Sequence, residues 1–278
     1  MTQRALVLGG GGITGIAWEW GILAGLAEAG VDLTGADLVV GTSAGSVVGA
    51  QVASGIEAAT RYQAQLAPPD GELAAALGRG TMLRFALAML GPADAQRFRA
   101  RVGRIALRAR TEASEADRIA VIESRLPVRE WPERRLLLTA VDAETGRFRT
   151  FDRHDGVPLV HAVAASCAVP GVWPPVSIDG RRYIDGGVRS GSNADLAAGA
   201  DRVVVLAPLP RGIGPMTGVG KQVEALRAQA SVVLVTPGQA ALAAFGRNVL
   251  DPANRAAAAR AGYAQAAAVL EEVRPVWS

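Results

Sequence analysis

Cysteine occurs once in the chain, at Cys167, which excludes an internal disulfide framework and suits a reducing compartment. Histidine occurs twice, at His154 and His161, so no zinc cluster can be built from His and Cys, and no metal or other cofactor is expected. Lysine is nearly missing: Lys221 stands against 28 arginines. Those arginines are scattered among acidic residues rather than clustered with aromatics, and the formal charge is only +3, so no nucleic-acid surface is indicated. No apolar run reaches bilayer-spanning length; the nearest, residues 82–90, is broken by Arg84. No signal peptide precedes the first strand, and neither a repeat nor a low-complexity linker interrupts the chain. A cytoplasmic setting is the expectation.

What is present points to an α/β fold. Half of the 278 residues are apolar, enough for one large core. Residues 5–8, 37–41, 136–141, 147–151, 182–184, 202–207 and 231–236 read as strands, with helices over 16–29, 159–167 and 254–273. This alternation predicts a mostly parallel central sheet with helices on both faces, built as a single domain over 1–278. Between 55 and 130 no strand is legible. Helices are expected at 57–66, 73–90, 95–110 and 115–125, as an insertion that caps the site.

The densest signal is Asp37–Ser46, DLVVGTSAGS. A buried strand runs into Gly41-Thr42-Ser43-Ala44-Gly45 and continues as a small-residue helix. In a G-x-S-x-G turn the reversal forces the serine into a strained conformation, and the flanking glycines leave room for it. Ser43 Oγ is then exposed at the strand's carboxyl end, with the N–H groups of the following helix aimed at whatever it attacks.

A second glycine cluster, Gly9-Gly10-Gly11-Gly12-Ile13-Thr14-Gly15, follows the first strand. Strand, helix and strand in this length form a parallel, right-handed βαβ unit, with neighbouring strands about 4.8 Å apart. The glycine loop therefore falls beside Ser43, at the edge where open α/β sheets bind ligands. The loop alone fits a dinucleotide fingerprint, Gly10-x-Gly12-x-x-Gly15, with Asp32 or Asp37 as the ribose acid. It equally fits an oxyanion hole whose Gly11 and Gly12 amides face a developing negative charge. The neighbouring strand favours acyl transfer, because it ends in Gly-Thr-Ser-Ala-Gly and not in an acid.

A serine nucleophile needs a base. No histidine follows Cys167, so a triad in the order Ser, Asp, His is impossible with Asp185. His154 lies in a charged loop and reads as solvated; His161 opens a helix and reads as a packed residue. A Ser–Asp pair remains. Asp185 ends a strand and is followed by two glycines that permit close approach, although the same residues alone describe an Asp-Gly turn.

Together GGGG-I-T-G, G-T-S-A-G and D-G-G, with Ala165–Gly171 and Pro174-Pro175-Val176 between them, resemble the patatin-like phospholipases over residues 4 to about 206. The resemblance implies a lipid acyl hydrolase with Ser43 as nucleophile, Asp185 as base, and Gly10, Gly11, Gly12 and Ala44 around the oxyanion. Lipids or other carboxylic esters are the implied substrates. One departure stands out: Gly9 and Thr14 occupy positions where the family's loop usually carries an acid and an arginine. Losing that arginine removes a positive charge near the hole and keeps a non-catalytic lipid-binding scaffold as an alternative.

The insertion carries the remaining signals. On the helix 95–110, Arg97, Arg101, Arg104 and Arg108 recur along one face, and Phe98, Val102 and Ile105 form a different, apolar stripe. Such a helix reads first as a bundle helix with a solvated face, and second as a peripheral contact with anionic membrane. Residues 82–90 are apolar nearly all round, as in a buried cap helix.

Overall fold

The computed structural model describes residues 2–68, 85, 88, 89 and 94–278. Strand β1 (Arg4–Leu8) leads through the glycine loop into helix α1 (Gly12–Glu28), then β2 (Leu38–Gly41), α2 (Ala44–Ala53) and α3 (Ala58–Leu66). After α4 (Ala95–Arg108) and α5 (Glu115–Arg125) come β3 (Arg135–Asp142), β4 (Phe148–Phe151), α6 (Leu159–Ser166), β5 (Val176–Ile178) and β6 (Arg181–Asp185). The chain closes with β7 (Arg202–Leu206), α7 (Val219–Arg227), β8 (Ser231–Val235), α8 (Gln239–Phe245) and α9 (Arg255–Trp277).

The strands form one eight-stranded sheet in the order β5-β6-β3-β2-β1-β7-β8, with β4 also paired to β3. β3, β2, β1, β7 and β8 run parallel, and β4, β6 and β5 are antiparallel additions at one side. The inner strands are unbroken apolar runs because both faces are covered. Leu6, Leu8, Val39, Val204 and Leu206 face α1, α2 and α9, where Trp18, Leu23, Val48 and Ala259 pack. Ala5, Val7, Val40, Val203 and Val205 point the other way, onto Val219, Val223 and Leu226 of α7. The expected layering is therefore the observed one.

Three short elements were not read from the sequence, and one expectation lies beyond the described residues. β5 was hidden by the prolines that precede it; it forms because Val176 and Ile178 can pair with Tyr183 and Arg181 of β6 and bury one face. The helices α7 and α8 are too short, at nine and seven residues, to stand out from their loops by periodicity. The helix expected over 73–90 lies outside the described residues, except for Phe85, Ala88 and Met89. Among the described residues of 55–130 there is no strand. Helix α4 docks through Phe98, Val102 and Ala106 onto Val141 and Ile184 of the sheet, and leaves Arg97, Arg104 and Arg108 exposed. Among the described residues no helix is long and apolar enough to cross a membrane.

Candidate active site

Leu8 pairs with Gly41, so β1 and β2 end side by side, and the loops that follow them meet. Ser43, in the second loop, has φ 53° and ψ −121°, a conformation that strains a residue bearing a Cβ. Its neighbours impose it. Thr42 N–H donates to Leu8 O at 3.0 Å, Gly45 N–H to Gly9 O at 3.0 Å, and Ser43 N–H to Ser166 Oγ at 2.9 Å. The Ser43 carbonyl accepts from Ser46 Oγ at 2.6 Å and from Cys167 Sγ at 3.2 Å. A Cβ on Gly45 would lie 2.1 Å from Leu8 O, so the last glycine of the motif is what lets α2 start against β1.

β3 extends past the end of β2, since Gly41 pairs with Leu138 while β3 runs on to Asp142. β6 descends that extension in the opposite direction and delivers its last residue, Asp185, opposite Ala140. The Asp185 carboxylate accepts from Gly187 N–H at 2.7 Å, and the Ser43 hydroxyl lies close enough to favour its charged form. It is only 5% exposed. Burial pushes its carboxyl up from 3.8 to about 6; the Ser43 hydroxyl, the Gly187 N–H and the positive charge of Arg118 each pull back part of the way. Neither histidine acts on this pair. His154 is exposed, and His161 sits half-buried in α6.

A buried polar cluster fixes the two loops behind the pair. Asn193, in the left-handed conformation at φ 50°, donates through Nδ2 to Thr42 Oγ1 at 3.0 Å and to the carbonyls of Gly186 and Ser190 at 3.3 and 2.9 Å. Thr139 Oγ1 donates to Thr42 Oγ1 at 2.9 Å. A Cβ on Gly186 would fall 2.2 Å from Thr139 Oγ1, which explains the first glycine after Asp185. One amide thus ties the Ser43 turn to the Asp185 loop.

The glycine loop lies against Ser43: a Cβ built on Gly10 would be 3.2 Å from Ser43 Cβ and 3.8 Å from its Oγ. The expected role of Gly10 as an oxyanion donor is corrected, because its N–H donates to Gly191 O at 2.7 Å. Gly10 instead supplies the closeness. The N–H groups of Gly11, Gly12 and Ala44 meet no protein acceptor among the described residues. Thr14, where an arginine was expected by resemblance, is fully buried, and its N–H donates to Val249 O at 3.1 Å. Thr14 braces the loop and adds no charge to it.

The dinucleotide alternative loses its acid. Asp37 precedes β2 and accepts from Arg4 N–H at 2.8 Å, at the amino edge of the sheet and away from the glycine loop. Asp32 caps a short turn through Thr34 N–H at 2.8 Å. Among the described residues no group of three or more His, Cys, Asp or Glu side chains is arranged to hold a metal ion.

Several contributors were not legible as such in the sequence. Ser166 and Cys167 stand in the stretch that carries the resemblance, but nothing in it told which atom of Ser43 they would hold. Asn193 and Thr139 gave no signal, since their cluster is assembled from four separate segments. Arg118 was not singled out in the sequence, yet it is 6% exposed and lies over the Trp173 ring, 4.1 Å from its centroid.

Residues 6–198 match the model of the patatin-like phospholipase family, and the chain belongs to that family. Uncharacterised NTE family proteins of Mycobacterium tuberculosis and Mycobacterium bovis are 32% identical over 202 residues, which cover 69% of this chain and 47% of theirs. The chain thus spans about half the length of the curated relatives it matches. Among solved structures, VipD from Legionella pneumophila superposes with a TM-score of 0.50 at 13% identity, covering 98% of this chain and 67% of that one. That likeness concerns the fold.

Proposed function

We propose that the protein is a serine acyl hydrolase of lipid carboxylic esters, working through Ser43 and Asp185. The observation that carries this is a strained serine whose hydroxyl acts on a buried carboxylate, beside amides that have no other acceptor among the described residues. Asp185 takes the proton as Ser43 Oγ attacks the ester carbonyl. Gly11, Gly12 and Ala44 donate to the tetrahedral oxyanion, each worth about 3 kcal/mol. The alcohol or lysolipid leaves with the proton, and water, deprotonated by Asp185, clears the acyl-Ser43 ester. The pull of burial suits this role, because a carboxyl resting at about 6 is ionised at neutral pH yet basic enough to accept a proton. Helices α4 and α5 act as a cap beside the site, and the exposed arginines of α4 make its contact with anionic lipid surface.

The test is labelling by a fluorophosphonate together with turnover of p-nitrophenyl esters. Wild type should label and turn over; Ser43→Ala should do neither. Labelling retained in Ser43→Ala, or turnover within tenfold of wild type in Asp185→Asn, would remove the assignment. Binding of anionic vesicles at low salt, lost when Arg97, Arg104 and Arg108 become Gln, tests the surface contact.

A further inference from the structure

Arg118 is the one buried cation near Ser43 that the mechanism above does not use. It projects from α5, within the insertion, and is 6% exposed. Its Nε–H is fully buried and finds no acceptor, and among the described residues its guanidinium makes no hydrogen bond and no ion pair. Burying an unpaired guanidinium is costly by several kcal/mol unless an anion completes it. The Trp173 ring, 4.1 Å below, holds the group in place but offers only its π face. Asp185 feels its charge but forms no ion pair with it, and Asp185 Oδ1 accepts from Gly187 N–H. Cys167, whose Sγ donates to Ser43 O at 3.2 Å, feels the same charge. Trp173 lies a few residues beyond Ser166 and Cys167, which bond the Ser43 N–H and carbonyl, so the cation packs on the segment that holds Ser43.

We propose that Arg118, seated on Trp173, is a specificity-determining residue that binds an anionic group carried by the ester substrate and so selects charged over neutral lipid esters. The inference rests on the ester-hydrolase reading of the Ser43–Asp185 site. The guanidinium fork matches the oxygen pair of a phosphodiester, which in a glycerolipid sits two or three carbons from an acyl ester oxygen. One molecule then reaches both Ser43 and Arg118. Further along the same face of α5, Val121 and Arg125 line a cavity of about 240 Å³ whose opposite wall is Ile13, next to the glycine loop, and Val47 of α2.

The experiment compares kcat/KM for lysophosphatidylglycerol and for the monoacylglycerol of the same chain length, in wild type, Arg118→Gln and Arg118→Lys. The anionic-to-neutral ratio should fall about 30-fold in Arg118→Gln, the worth of a charge-assisted pair, and by less in Arg118→Lys, which keeps the charge without the fork. A ratio within threefold of wild type in both variants overturns the proposal, whatever the absolute rates do; Arg118 would then act only on Asp185. Should Arg118→Gln fail to fold, an unchanged ratio in Arg118→Lys overturns it equally. Binding of the same two lipids to Ser43→Ala, with and without Arg118→Gln, separates the two readings. An Arg118-dependent preference for the anionic lipid upholds the subsite even if wild type hydrolyses neither lipid, and no preference removes it.

Discussion

Replacing Asp185 by Asn should destroy turnover and make the protein more stable at neutral pH. In the unfolded chain this carboxyl ionises near 3.8, and in the folded protein burial holds it protonated up to about 6. Between those values only the unfolded state gains from ionisation, so stability falls as pH rises and then levels off above the folded value. Roughly two pKa units at about 1.4 kcal/mol each put the penalty at about 3 kcal/mol. Asn carries no such penalty. It keeps an oxygen for the Gly187 N–H but leaves an amide without an acceptor, which costs about 1–2 kcal/mol. The net gain above pH 6 is about 1–2 kcal/mol, or a Tm higher by about 2–6 °C for a chain of this size. At pH 3 and below wild type is largely neutral in both states, and only the unmet amide remains, so the sign should reverse. Thermal melts of both proteins from pH 3 to 8 measure the difference. A Tm gap independent of pH would show that Asp185 is not held protonated by its surroundings, and the account of the site as a buried, tuned base would fall with it.

The same value predicts the acid limb of kcat/KM: activity should drop below about pH 6 as Asp185 takes up a proton, and Arg118→Gln should move that limb to higher pH by removing a cation that favours the carboxylate. A limb near pH 4, or one that does not move, would contradict it. Glu19, fully buried on α1, has no hydrogen-bond partner for either oxygen, and the Gly9 N–H that approaches it is committed to Leu206 O at 2.9 Å. Burial raises its carboxyl well above the usual range, so Glu19→Gln should raise Tm at pH 7 and lose that advantage below pH 4; equal gains at both pH values would refute this. Burial also raises the Cys167 thiol, so native protein should resist iodoacetamide over hours and react at once in urea. Gly186→Ala forces a Cβ to within 2.2 Å of Thr139 Oγ1 and should cost about 3 kcal/mol or more, read by chemical denaturation.

The sheet and the nucleophile turn were legible because both follow from short-range pattern. Residues 5–8, 37–41 and 202–207 are apolar runs that make sense only with both faces covered, and the glycines flanking Ser43 follow from the reversal of the chain. Asp185 was singled out as a candidate because the two histidines stand outside the usual order, and the resemblance then favoured it over a plain Asp-Gly turn. What stayed hidden depends on contacts between distant segments. Gly10 gave no hint that its N–H would be taken by Gly191, and the role of Thr14 depends on Val249, more than two hundred residues away. Arg118 was indistinguishable from the solvated arginines of α4, because burial of a charge is decided by what packs on it.

The bond from Thr14 to Val249, with Gly12 so near that a Cβ there would sit 2.6 Å from the Val249 carbonyl, reaches past residue 198, where the family match stops. Helix α9 continues the dependence: a Cβ on Gly21 of α1 would lie 2.2 Å from Ala259 O. The tail is thus part of the floor on which the glycine loop is laid. A fragment trimmed at the family boundary would strip one flank of α1 bare and leave that loop without its far anchor.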